Sequence, residues 1–154
     1  DKGQEFDSAI QFWLDYWTSR RILPSGIDPL LIKAQISLES GFNPLAEPPQ
    51  KKGKIRSAAG LMQVLSGSLR VMSGAPDKRN YREMDSYLIS LDRKDLFDPV
   101  VNIAAGIRWL AHKYSKIPKG NHKNIRNMIK NYNSWNKGGD TYAKKVFSRY
   151  EKSK

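Results

Sequence analysis

The chain of 154 residues contains no cysteine. That excludes a disulfide framework and any thiolate nucleophile or ligand, while leaving the redox compartment open, since proteins without disulfides occur in oxidising compartments too. Histidine is nearly as scarce, with two. His112 and His122 are expected on a helix surface or in a loop, and no metal or cofactor is expected. No apolar run approaches the ~18 to 20 residues that span a bilayer. The opening "DKGQEFDS" lacks the apolar core of a secretory signal, and a start at Asp1 reads as a trimmed product. Repeats, heptads and low-complexity tracts are missing as well.

Acidic residues are outnumbered, 15 against 27 Lys or Arg, for a net charge of +12. The excess is uneven: residues 113–154 carry 12 basic residues against Asp140 and Glu151, while residues 1–112 carry 15 against 13. Such a field favours a polyanionic partner, whether nucleic acid, an anionic membrane face or an acidic wall polymer, and is otherwise a solvated helical surface.

What the sequence does have is helical periodicity. Phe6, Ile10, Trp13, Leu14 and Trp17 recur at spacings of three and four, one face of an amphipathic helix. "GIDPLLIKAQISLESG" starts with Asp28 as N-cap and Pro29 at the first helical position, and ends before Gly41; being apolar nearly all round, it belongs at the centre of a core. "LFDPVVNIAAGIRWLAHKY" repeats the design from Asp98 and Pro99, and its interior Gly106 suggests close helix approach. Further helices are expected from Asn124 to Asn133 and after Asp140, the last turning Tyr142, Ala143, Val146, Phe147 and Tyr150 inward. Residues 43–58 and 74–95 read mainly as surface loops, "DSYLISL" being either a short helix or a strand. The length suits one domain over 1–154.

Glu39 closes the second of these helices. A carboxylate there faces the negative end of the helix dipole, where Lys or Arg would be favoured, and the apolar Ile36 and Phe42 add desolvation. Both effects raise its pKa, giving a glutamic acid that keeps its proton near neutral pH, as general-acid catalysis on a glycosidic oxygen requires. The plain alternative is a solvated glutamate at a helix end. Two other stretches bear on the choice. "SAAGLMQVL" places Gln63, whose amide can bind a sugar N-acetyl group, in a short apolar segment, and "NYNSW" pairs the phenol of Tyr132 with the amide of Asn133. Singly, each is as readily core packing or a helix cap.

In this order the stretches resemble the catalytic domain of the soluble lytic transglycosylases, related to goose-type lysozymes. The resemblance rests on Glu39-Ser40, Asn43-Pro44, Gly60 to Gln63, Asp98-Pro99 with Asn102-Ile103 and Ala105-Gly106, and Tyr132-Asn133, all within residues 28–147. It implies an all-α, lysozyme-like domain with a saccharide-binding groove. It makes Glu39 the catalytic acid and base, Gln63 and Asn133 groove residues and Tyr132 the partner that positions Glu39, with Met62 lining the groove and Ser40 supporting the site. Two departures stand out. The span from Glu39 to Gly60 is lengthened by "QKKGKIR", residues 50–56, and Lys54 and Arg56 occupy the positions of a family serine, leaving Ser57 as the nearest substitute.

The substrate so implied is the glycan strand of peptidoglycan, cut between N-acetylmuramic acid and N-acetylglucosamine to leave a 1,6-anhydro end, in the periplasm or at the wall. A delivered toxin of this kind would add an immunity or inhibitor protein as partner. Hydrolysis of the same bond is the alternative; it needs a second carboxylate, for which Glu47, Glu83, Asp85 and Asp92 are the loop candidates. A non-catalytic binder of wall or nucleic acid would leave Glu39, Gln63 and Tyr132 without a role, and nucleic acid is not expected as a partner.

Overall fold

The structure, a computed structural model, describes residues 2–53, 57–132 and 138–154. Asn133 and residues 54–56 of the expected insertion therefore lie outside the described residues. Among the described residues six α-helices make the frame: α1 (Asp7–Ser19), α2 (Pro29–Ser40), α3 (Ser66–Met72), α4 (Pro99–Ser115), α5 (Ile125–Lys130) and α6 (Gly139–Ser153). Short 3₁₀ turns precede α1 (Gln4–Phe6) and α4 (Arg93–Phe97). Among the described residues there is no strand, only one isolated antiparallel bridge between Ala59 and Val64. No helix among the described residues is long and apolar enough to cross a membrane.

Helix starts follow the caps in the sequence. Asp28 Oδ1 accepts from Leu30 N at 2.9 Å, and Asp98 Oδ1 accepts from Val100 N at 2.9 Å and Val101 N at 3.3 Å, each cap contributing about 1 kcal/mol. Asn124 caps α5 through Asn127 N at 2.8 Å, but α5 stops at Lys130, shorter than the pattern suggested. Packing then assembles α2 against α6, α1 against α4 and α2, and α4 against α5. Ile32 and Ile36 of α2 and Ile103, Ile107 and Leu110 of α4 are fully buried in one apolar cluster, each side chain contributing about 1.5–3 kcal/mol.

Three expectations change. Gly106 serves no helix crossing: a Cβ there would lie 2.8 Å from Met62 Cε, so its missing side chain makes room for Met62. His112 is buried, not on the surface, because its ring pairs with Glu83 and packs on Trp109. Residues 85–91 form neither helix nor strand; Arg108, itself buried, holds their carbonyls through Nε to Tyr87 O at 3.0 Å and Nη2 to Ser86 O at 3.1 Å. This buried guanidinium and the bond from Ile89 N to Met72 O at 2.8 Å together support the loop in place of secondary structure.

Candidate active site

Glu39 sits in the last turn of α2, which contains no basic residue. Gly41 ends the helix at φ 60°, its N–H donating to Ser37 O at 3.0 Å. Phe42 follows at φ 66°, a left-handed conformation that a bulky residue adopts only when its surroundings impose it. Its ring lies against the N-terminal turn, where a Cβ on Gly3 would stand 3.0 Å from Phe42 Cγ, so the contact requires glycine there.

Burial dominates the electrostatics. It pushes the Glu39 carboxyl from the ordinary 4.5 up to about 8, and the Tyr142 hydroxyl, lying against the carboxyl, offsets part of the rise. Neither group gains a well-formed hydrogen bond: Glu39 Oε2, Tyr142 Oη and both amide atoms of the fully buried Gln35, one turn earlier on α2, have no aligned partner. A buried polar atom without a partner costs about 1–3 kcal/mol, so this cluster is not there for stability.

The chain after Glu39 leads directly to the Gly60–Gln63 turn. Asn43 Oδ1 accepts from Leu45 N at 3.0 Å and Asn43 O from Ala46 N at 3.1 Å; Ala46 O then takes Gly60 N at 2.7 Å and Gln63 Nε2 at 3.0 Å. Asn102, wholly buried in α4, clamps the turn by accepting from Met62 N at 2.8 Å and donating to Ala59 O and Leu96 O at 2.9 Å each. Gly60, at φ 78°, has no space for a side chain, since a Cβ would meet Leu96 O and the Asn102 amide.

A family model, the transglycosylase SLT domain, matches residues 19–154. The chain belongs to that family. Membership makes this helical fold the lysozyme-like one and peptidoglycan the polymer it acts on. No curated protein and no solved structure matches the chain.

Within this transglycosylase domain the expected site residues take different parts. Tyr132 does not bond Glu39. Its hydroxyl donates to Met62 O at 2.9 Å, its carbonyl accepts from Trp109 Nε1 at 2.7 Å, and it is fully buried, although the Glu39 charge still contributes to raising its pKa. Tyr142 takes the place beside the carboxyl instead and stacks on Tyr132 with ring centroids 6.5 Å apart. Met62 cannot line a groove with its side chain, which is fully enclosed against Gly106. Gln63 is half-buried at φ 49°, and its amide N–H groups are spent on Ala46 O and Gly60 O; Oε1 accepts no bond among the described residues. Ser40 Oγ donates back to Ile36 O at 3.1 Å, within its own helix. Ser57 is half-buried at the far side of the turn, its carbonyl accepting from Ser66 Oγ at 3.3 Å.

Two of the candidate second carboxylates are engaged, Glu47 with Arg93 at 3.0 Å and Glu83 with His112, while Asp92 stands at the start of the 3₁₀ turn before α4, its N–H donating to Asp95 Oδ2 at 2.9 Å. Asp85 is exposed in the loop held by Arg108. Tyr142 was legible only as an inward helix position, and Gln35 was not singled out. A polar Gln within an otherwise apolar run was the available signal for Gln35; for Tyr142 nothing in its own helix pointed to the carboxyl.

Proposed function

We propose that the protein is a lytic transglycosylase in which Glu39 acts first as acid and then as base. Protonated, it gives its proton to the β-1,4 oxygen between N-acetylmuramic acid and N-acetylglucosamine as that bond breaks. The resulting carboxylate accepts the proton of the muramoyl 6-hydroxyl while that oxygen attacks C1, closing a 1,6-anhydro ring without consuming water. The observation that carries the reading is a buried carboxyl with a pKa of about 8 at the end of α2, beside the Tyr142 hydroxyl. Such a group is protonated at neutral pH and close enough to it to return a proton.

The cause of that pKa also favours transglycosylation over hydrolysis. Desolvation raises it, and no other carboxylate among the described residues contributes. A two-carboxylate hydrolase holds its second group roughly 5–9.5 Å away, a distance at which its charge would act on the first. A peptidoglycan substrate supports action in the periplasm or at the wall.

The test is mass spectrometry of soluble products from purified peptidoglycan treated with the wild type and with Glu39→Gln. Products ending in 1,6-anhydromuramic acid, absent with the variant, are expected. Reducing ends in their place would make the enzyme a hydrolase, and release by the variant would remove Glu39 from the mechanism.

A further inference from the structure

Gln35 has no part in the chemistry proposed so far. It stands in the apolar run of α2, is fully enclosed, and neither atom of its amide has an aligned hydrogen bond among the described residues. The wholly buried Asn102 shows what a structural amide does in this fold, with three bonds to backbone groups. An amide buried without such bonds weakens a fold, so methionine or leucine at position 35 would serve packing better. Its neighbours give the amide a use. Gln35 and Glu39 are four positions apart on α2, which sets them on one face of the helix. Tyr142, in the first turn of α6, brings its hydroxyl against both side chains. Tyr132, stacked on the same ring, does not compete for that hydroxyl, because its own donates to Met62 O at 2.9 Å. Burial drives the Tyr142 pKa well above the ordinary phenol range, and the Gln35 amide works against that rise, the effect of a donor on the phenol oxygen.

Being fully enclosed, Gln35 does not reach the glycan, so any effect on the reaction passes through Tyr142. We propose that Gln35 is a positioning residue that sets the direction of a three-membered chain, its amide N–H donating to Tyr142 Oη and the Tyr142 O–H donating to the enclosed Oε2 of Glu39. The proposal rests on Glu39 as acid and base. A phenol oxygen accepts as well as donates. Left free to accept, it would draw the O–H of protonated Glu39 inward and withhold that proton from the glycosidic oxygen. With Gln35 donating to it, the acidic proton stays on Oε1, leaves from there to the glycosidic oxygen, and is replaced on the same atom by the proton of the muramoyl 6-hydroxyl. The Tyr142 proton keeps its place throughout. The donor has to be neutral, since lysine or arginine would favour the carboxylate and leave no acid at neutral pH. Catalytic hydrogen bonds are often poorly aligned in a resting site and tighten around substrate, which accounts for the unaligned groups here.

The experiment compares the wild type with Gln35→Met, Tyr142→Phe and the double variant. Methionine keeps the length of glutamine without its hydrogen-bonding groups, and Gln35→Leu repeats the test should methionine pack poorly. Stability in urea should hold or rise, since the change removes a buried amide without aligned bonds. The first readout needs no turnover. It is the C=O stretch of protonated Glu39, assigned by infrared difference against Glu39→Gln in each background, with and without a tetramer of N-acetylglucosamine. Gln35→Met should move it to higher frequency, because Tyr142 becomes a weaker donor, and should add no shift once Tyr142 is phenylalanine. The second is kinetic: kcat on soluble glycan strands should fall about five- to ten-fold, the effect of one neutral hydrogen bond, with KM nearly unchanged, and by less than about two-fold in the Tyr142→Phe background. An unmoved stretch, effects of the two substitutions that multiply, or a loss of stability in step with activity would overturn the role of Gln35 and leave Glu39 as acid and base. Product release by Glu39→Gln would overturn the proposed function itself, and with it the catalytic use of the chain, even where the stretch shifts.

Discussion

Asn102 and Glu39 are both polar side chains set among apolar helices, and they are treated in opposite ways. Asn102 makes three hydrogen bonds, of 2.8, 2.9 and 2.9 Å, to the backbone of the Gly60–Gln63 turn and the segment before α4. Its desolvation is offset bond by bond, and the turn cannot move while it stays. Glu39 is enclosed at a helix end of the wrong polarity, against Tyr142, and with Gln35 one turn away none of the three gains an aligned hydrogen bond. One region spends its polar groups on the fold, while the other holds the group proposed as acid and base. Mutations in the two should therefore separate stability from activity.

The largest effect is expected at the carboxyl. Glu39→Gln removes the group proposed as both acid and base, and turnover of peptidoglycan should fall by about 10³-fold or more with the fold intact, as followed by product release alongside circular dichroism. Next comes the clamp. Asn102→Ala strands three backbone groups and Gly60→Ala drives a methyl group into Leu96 O and the Asn102 amide. Each should cost roughly 3–4 kcal/mol in urea unfolding. A loss below about 1 kcal/mol would mean that the turn is held by something other than Asn102.

The comparison sharpens with pH. The folded chain holds the Glu39 proton up to about 8, whereas the unfolded chain releases it near 4.5. Across that window the unfolded state binds fewer protons, so this group makes stability decline as pH rises, from no penalty below about 4.5 to the full penalty above about 8. Glu39→Gln lacks the ionisation, so its stability relative to the wild type should improve by roughly 3–5 kcal/mol between the two ends. Parallel stability curves for the two proteins would show that the carboxyl is not desolvated. An inactive variant more stable than its parent is the expected signature of a site kept at the expense of the fold.

Much of this was readable beforehand because it is local. The caps Asp28 and Asp98, the stop at Gly41 and the placement of Glu39 at a helix end depend on neighbouring residues, and the motif order carried the family. What depended on distant packing was not readable. Met62 faces Gly106 across 44 positions, and Arg108 reaches back to a loop without periodicity of its own. Choosing between two tyrosines for the place beside Glu39 needed the angle at which α6 crosses α2, on which spacing is silent.

Those two tyrosines supply the smallest effect and the finest test of the comparison. The Tyr142 hydroxyl favours the ionised form of Glu39, so Tyr142→Phe should raise that pKa further. Activity that depends on protonated Glu39 would then persist to higher pH, by less than about one unit, while the cost of a buried hydroxyl without an aligned partner disappears and stability holds or improves. Tyr132→Phe should do the reverse. It leaves Met62 O without its donor and should cost about 1–3 kcal/mol, with the alkaline limb of the rate profile nearly unmoved. Profiles of kcat/KM against pH for both variants, read beside their unfolding curves, decide which phenol tunes the acid and which supports the turn. If Tyr132→Phe shifts the limb and Tyr142→Phe does not, the two tyrosines must exchange roles, and the division between fold-holding and reaction-ready groups would have to be redrawn through α6.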